Sequence, residues 1–189
     1  MASMADLLLN NRSRTFFSEN FVLLCTQRAY SGGAHRHPVP LVFEGASAME
    51  FYDVIKTRRS VRRFLKKAIP VDVLDRVLEA AGVAPSGGDR QPWRFVVVKD
   101  KQKKQRIARA CYGQDFVAEA PVVLVCCSIK CSSGYEPWED EAGRRDAVIA
   151  TDHLILAARN EGLGTCWVGA LHDKQVKEIV NVPGNVSYT

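Results

Sequence analysis

The sequence predicts a layered domain of the α+β or α/β class, and three observations carry that prediction. Apolar residues recur at helical spacing over 71–83 and again over 144–160. Between them stand two short apolar runs that read as strands, Phe95–Val98 as a buried strand and Val122–Ser128 as one buried on both faces. The third observation is the stretch Ala84–Trp93, APSGGDRQPW, a loop that delivers a helix into the first of those strands.

That loop is the organising feature of the chain. Pro85 and Pro92 are each expected to hold the preceding residue extended. Gly87 and Gly88 allow positive φ and let a ligand approach the main chain. Ser86, Asp89, Arg90 and Gln91 surround the bare backbone with donors and acceptors. A rigid turn without a ligand is an equal alternative, because Gly-Gly flanked by proline is ordinary loop punctuation.

Length and composition narrow the field. A chain of 189 residues suits one core-forming domain. With 47% apolar and 25% charged residues, it reads as globular and not as a disordered or fibrous chain. The net charge of +5 invites an anionic partner. No run approaches the ~18 apolar residues of a membrane-spanning helix, so no membrane partner is expected. Cys126 and Cys127 adjoin inside an apolar run, which suits core thiols in a reducing, cytoplasmic setting better than a disulfide framework. Cys126, Cys127 and Cys131 match no zinc spacing, so no metal is expected. His35, His37, His153 and His172 are dispersed, and neither a Ser-His-Asp set nor a Walker or Rossmann glycine pattern is present. Cys166 beside Trp167 has no base that the sequence can name.

In chain order, residues 1–48 differ from the rest. Phe21–Cys25 is their one apolar run, too short for a signal-peptide core. Arg12, Arg14 and Arg28 suggest a transit peptide, against which Asp6 and Glu19 argue. Ser31–Pro40 reads as a linker. The expectation is a mostly disordered extension, removable without loss of the fold, and a domain over 49–189 starting at Met49. Glu50–Thr57 reads as a short amphipathic helix with Phe51, Val54 and Ile55 at helical spacing. It runs into RRSVR. Arg58, Arg59 and Arg62, with the Ser60 hydroxyl, supply the planar forks and donor that phosphate oxygens take. A solvated basic patch is the commoner fate of such a cluster.

Val71–Val83 carries Val73, Leu74, Val77, Leu78 and Ala81 on one face. Asp100 is a plausible N-cap for Lys101–Ala110. The charges of that helix, Lys101, Lys103, Lys104, Arg106 and Arg109, read as a solvated outer face. A nucleic-acid-binding role for them is the weaker reading, because no aromatic interleaves them before Tyr112. Lys130–Glu141 is a polar connection whose Tyr135 and Trp138 either cover a substrate or tuck into the surface. Arg144–Asn160 shows a stripe of Ala147, Val148, Thr151, Leu154, Ile155 and Ala158, and Gly162 and Gly164 are expected to end it. Thr165–Ala170 reads as a strand and turn, and Asp173 as the cap of Lys174–Val180.

Taken in order, DVIKTRRSVR at Asp53–Arg62, APSGG at Ala84–Gly88 and LGTCWVG at Leu163–Gly169 resemble the FMN-dependent nitroreductase family, and more distantly the iodotyrosine deiodinases. The resemblance runs from about Met49 to about Pro183. It implies a central mixed sheet flanked by helices and a homodimer with FMN at the interface, in which Arg144–Asn160 builds the dimer core. Arg58, Arg59, Ser60 and Arg62 would hold phosphate and ribityl from one subunit. Pro85, Ser86, Gly87 and Gln91 would meet the isoalloxazine from the other. Trp167, Val168 and Gly169 would set backbone groups beside the ring. NAD(P)H would supply hydride and a nitroaromatic or quinone would accept it, in ping-pong turnover, with no side chain needed as acid or base. Members of this family continue with a further strand and a basic residue where this sequence reaches Thr189. A C-terminally incomplete domain is therefore expected, with an impaired flavin-binding module as the alternative to an active enzyme.

Overall fold

The computed structural model of the protein describes residues 18–27, 49–129 and 139–182. A four-stranded sheet in the order β2-β3-β1-β4 lies at its centre. The strands are β1 (Ser18–Gln27), β2 (Trp93–Val98), β3 (Val122–Ser128) and β4 (Leu163–Val168). The helices are α1 (Phe51–Thr57), α2 (Val71–Gly82), α3 (Lys101–Ala110), α4 (Phe116–Glu119), α5 (Glu139–Asn160) and α6 (Asp173–Val180).

Alternation along β2 and β3 divides the core in two. Phe95 and Val97 of β2 sit opposite Cys126 and Leu124 of β3, and all four face α2 and α5. Val96 and Val98, opposite Val125 and Val123, face α3, α4 and α6. Helices therefore cover both faces, and every residue of β3 is buried, as its unbroken apolar run requires. Complete burial of such a side chain contributes about 1.5–3 kcal/mol. On the helical side, α2 buries Leu74, Val77, Leu78 and Ala81, the periodic positions of its sequence. Its exposed face is pinned to the end of α5 by the Arg76 guanidinium, which donates to both carboxylate oxygens of Glu161 at 3.0 and 2.8 Å. The side chain of Asp100 accepts from Lys103 N at 2.7 Å and caps α3 as expected.

Several expectations change. Among the described residues the strand ladders are antiparallel, and the parallel component of the expected mixed sheet is the bridge between Ser60 and Thr165. Residues 18–27, assigned to a disordered extension, form the strand between β3 and β4. FVLLC is a short apolar run, and the composition around it hid its second meaning as a strand with a partner on either side. Lys104 is not on a solvated face. It is buried, and its Nζ donates to the carbonyls of Ala120 and Pro121, where α4 ends and leaves acceptors free. Gly164 lies inside β4; the residue that ends α5 in a left-handed turn is Gly162, at φ 75. Asp173 is the first residue of α6, whose N-cap is His172, with no side-chain capping bond. The stripe expected at a dimer interface is mostly the protomer's own core, since Ala147, Thr151, Leu154 and Ala158 are fully buried there. Tyr135 and Trp138 lie outside the described residues.

Candidate functional site

The arginine segment leaves α1 as extended chain. Arg58, at φ −62 and ψ 132, closes the helix by donating its N–H to Val54 O at 2.9 Å. Val61 N then donates to Thr165 O at 2.8 Å, and Ser60 bridges Thr165 in parallel, so the segment lies along the edge of β4 that β1 does not use. Arg59, Ser60 and Arg62 are exposed and Arg58 is half-buried. Among the described residues, Arg76 pairs with Asp72 and Glu161 and Arg145 with Glu141, and no ion pair engages Arg58, Arg59 or Arg62.

A fourth cation joins them that the sequence did not reveal. Arg159, in the last turn of α5, donates Nε to Thr57 Oγ1 at 2.9 Å. Burial lowers its pKa, and the like charge of Arg59 lowers it further. The Cys166 thiol of β4 is buried. Burial pushes it up, while the Arg62 charge and a Ser60 hydrogen bond pull it down. Arg58, Arg59 and Arg62 pair with no carboxylate among the described residues and share their segment with an exposed hydroxyl, a set that fits an anion of phosphate type; the Arg62 guanidinium lies over the Phe116 ring at 5.9 Å.

The loop is more closed than its sequence suggests. Ser86 Oγ accepts from Gln91 N at 2.9 Å, and Gln91 Nε2 donates to Asp89 Oδ1 at 3.1 Å. Gln91, expected extended ahead of Pro92, has φ 49, because that backbone bond to Ser86 turns it inward. Gly87 N donates to Asp146 Oδ2 of α5 at 3.1 Å. Pro85, Gly87 and Gly88 stay exposed, and Gly88 takes the positive φ, 62, foreseen for this pair. On β4, Val168 is buried, Trp167 packs against the core beneath α2 and α5, and Gly169 is exposed with open space where a Cβ would point.

The structure thus unites Arg58–Arg62 with β4 but holds the loop elsewhere. Asp146 anchors the loop near the start of α5, whereas Arg159 and Thr57 anchor the arginine segment at its end. At 1.5 Å per residue those anchors stand roughly 20 Å apart along the helix. Among the described residues, no three His, Cys, Asp or Glu side chains gather in a metal-binding group, and no helix is long and apolar enough to cross a membrane.

Comparison with known proteins gives the family and, with it, the class of oxidoreductase. The model of the Nitroreductase family matches residues 55–130 and 111–189. A putative NADH dehydrogenase/NAD(P)H nitroreductase of Methanothermobacter thermautotrophicus is 32% identical over 148 residues, covering 74% of this chain and 73% of the relative. A nitroreductase family protein from Clostridium novyi NT superposes with a TM-score of 0.67 at 33% identity, over 72% of this chain and 79% of its own. An oxidised iodotyrosine deiodinase, solved with FMN and 3-iodo-L-tyrosine, superposes with a TM-score of 0.63 at 30% identity, over 72% and 83%. The chain belongs to the Nitroreductase family.

Proposed function

We propose that the protein is a homodimeric FMN-dependent oxidoreductase that takes hydride from NAD(P)H and reduces a nitroaromatic or quinone in ping-pong turnover. The observation that carries this reading is the arginine cluster docked on β4, uncompensated among the described residues. The FMN-bound deiodinase supports the choice of flavin, and the names of the nitroreductase relatives support a nicotinamide donor. FMN, when bound, supplies the electron-transfer chemistry. Arg58, Arg59, Ser60 and Arg62 hold its phosphate and ribityl chain. Pro85, Ser86, Gly87 and Gln91 meet the ring, and the backbone of Trp167, Val168 and Gly169 lies beside it. The separation of the loop and arginine anchors along α5 supports a site assembled from two subunits. The buried cysteines Cys111, Cys126, Cys127 and Cys166 suit a reducing, cytoplasmic setting.

A visible absorption spectrum of the purified full chain tests the flavin directly, and a colourless protein that binds no added FMN overturns the reading. Arg58→Ala tests the phosphate assignment. A charge-assisted bond contributes roughly 1.5–3 kcal/mol, which corresponds to about ten- to a hundredfold in FMN affinity. Riboflavin, which lacks the phosphate, should lose far less. Arg106→Ala, on the exposed face of α3, should change neither.

A further inference from the structure

Gly164 stands where the arginine segment meets β4. Its φ is not positive, so the backbone there does not demand glycine. Space does. A Cβ on Gly164 would lie 2.9 Å from Val61 Cγ2, 3.1 Å from its Cβ and 3.2 Å from its Cγ1. Val61 is β-branched and has little χ1 freedom with which to yield. It is also fixed by its own N–H, which donates to Thr165 O at 2.8 Å, beside the Ser60–Thr165 bridge. The missing side chain at position 164 therefore sets how closely the segment 58–62 approaches the sheet. Arg59, Ser60 and Arg62 flank Val61 on that segment, and the Arg62 guanidinium lies over the Phe116 ring of α4 at 5.9 Å.

We infer that Gly164 is a positioning residue for the anion-binding arginines: Val61 seats in the gap it leaves, and that contact fixes how the segment carrying Arg58, Arg59 and Arg62 lies against β4. This rests on the reading that those arginines hold the phosphate of FMN. Gly164 does not touch the ligand. It acts through Val61, so its effect falls on phosphate recognition and not on flavin binding in general.

The experiment measures FMN and riboflavin affinities of the full-length protein by fluorescence quenching. Gly164→Ala should weaken FMN by about tenfold or more, the loss of a charge-assisted contact, and should move riboflavin much less. Adding Val61→Ala removes two of the three clashing atoms and should return FMN affinity most of the way to that of the parent. Val61→Ile, which crowds the same gap from the other side, should reproduce the selective loss and serves if Gly164→Ala fails to fold. In either crowded variant the Val61 amide should exchange faster with solvent, because its bond to Thr165 O is stretched. Arg58→Ala separates the two claims. If it leaves the FMN-to-riboflavin preference unchanged, the phosphate assignment fails. If it shifts that preference while neither Gly164→Ala nor Val61→Ile does, the inference about Gly164 is overturned. An equal loss of both flavins, or no rescue by Val61→Ala, also overturns it.

Discussion

A Cβ built on Gly143 of α5 would sit 2.7 Å from the Ile129 carbonyl oxygen. Both groups are backbone-fixed, so Gly143→Ala must push α5 away from the end of β3. Overpacking of this kind costs about 1–3 kcal/mol, and denaturant unfolding should show a lower midpoint. Gly82, the last residue of α2, has open space where its Cβ would point, and Gly82→Ala should raise the midpoint by adding about 0.4–1 kcal/mol of stability through the unfolded chain. The buried thiols make a separate prediction at this scale. Burial raises Cys111 to about 11 and Cys126 to about 12, where a Thr151 hydrogen bond offsets part of the rise. Cys127 and Cys166 are raised for the same first cause. Unfolded thiols ionise near 8.5, so between there and the folded values the folded chain binds more protons. The stability they contribute is full below the unfolded value and is lost as pH rises, at about 1.4 kcal/mol per thiol per unit. Lys104 works the other way, because burial lowers its pKa and stability gains as pH nears its ordinary value. Four thiols outweigh one amine. Melting temperature in reductant should fall from pH 8.5 to 10.5, less steeply in Cys126→Ala. A flat profile contradicts this account.

Among the elements, β1 bears on the most. Its residues 22–27 pair with 168–163 of β4, including Trp167 and Val168, while its other edge pairs with β3. Removing it leaves two inner strand edges unpaired, and each buried group without a partner costs about 1–3 kcal/mol. A chain beginning at Met49 should therefore melt lower than the full chain by about 10 °C or more. Leu23→Pro, opposite both Leu124 and Trp167, should act in the same direction, because proline cannot sit in an inner strand. Equal melting temperatures would show that β1 is dispensable, which is what composition alone suggests. The contrast marks what was legible. The helices α2, α3 and α5, the strand β3 and the Asp100 cap all follow from periodicity or from residues within a few positions of one another. The placement of β1, the burial of Lys104, the close approach at Gly164 and the bond from Arg159 to Thr57 do not. Each depends on a partner 16 or more residues away, and the last spans 102. At the candidate site, the arginines and loop glycines were readable as residue types. That they attach to one helix at separate points, Asp146 and Arg159, was not.

For the molecule as a whole, the exposed apolar side chains point to an interface. The helix α5 spends its small-residue stripe on its own core and leaves Val148 and Ile149 more than a third exposed. The neighbouring α1 exposes more: Phe51 at 61%, Tyr52 at 67% and Ile55 at 45%. Scattered exposed apolar residues are ordinary, but α1 packs against α5, and the proposed dimer would draw on the apolar side chains that both expose. A dimer about this surface would bring α5 against α5. The loop anchored at Asp146 of one copy could then approach the arginines anchored at Arg159 of the other, closing the roughly 20 Å gap that one protomer leaves between them. The expected outcome is a dimer of the parent protein by sedimentation at micromolar concentration. Ile149→Arg, which places a charge on that surface without disturbing the core, should give a folded monomer with unchanged helical content. That monomer keeps every residue assigned to the flavin, yet it should lose most FMN affinity, because neither copy then presents both halves of the site. Riboflavin should fall with it, since the ring and the phosphate contacts are separated together. A monomer that binds FMN as well as the parent does would show that one chain suffices.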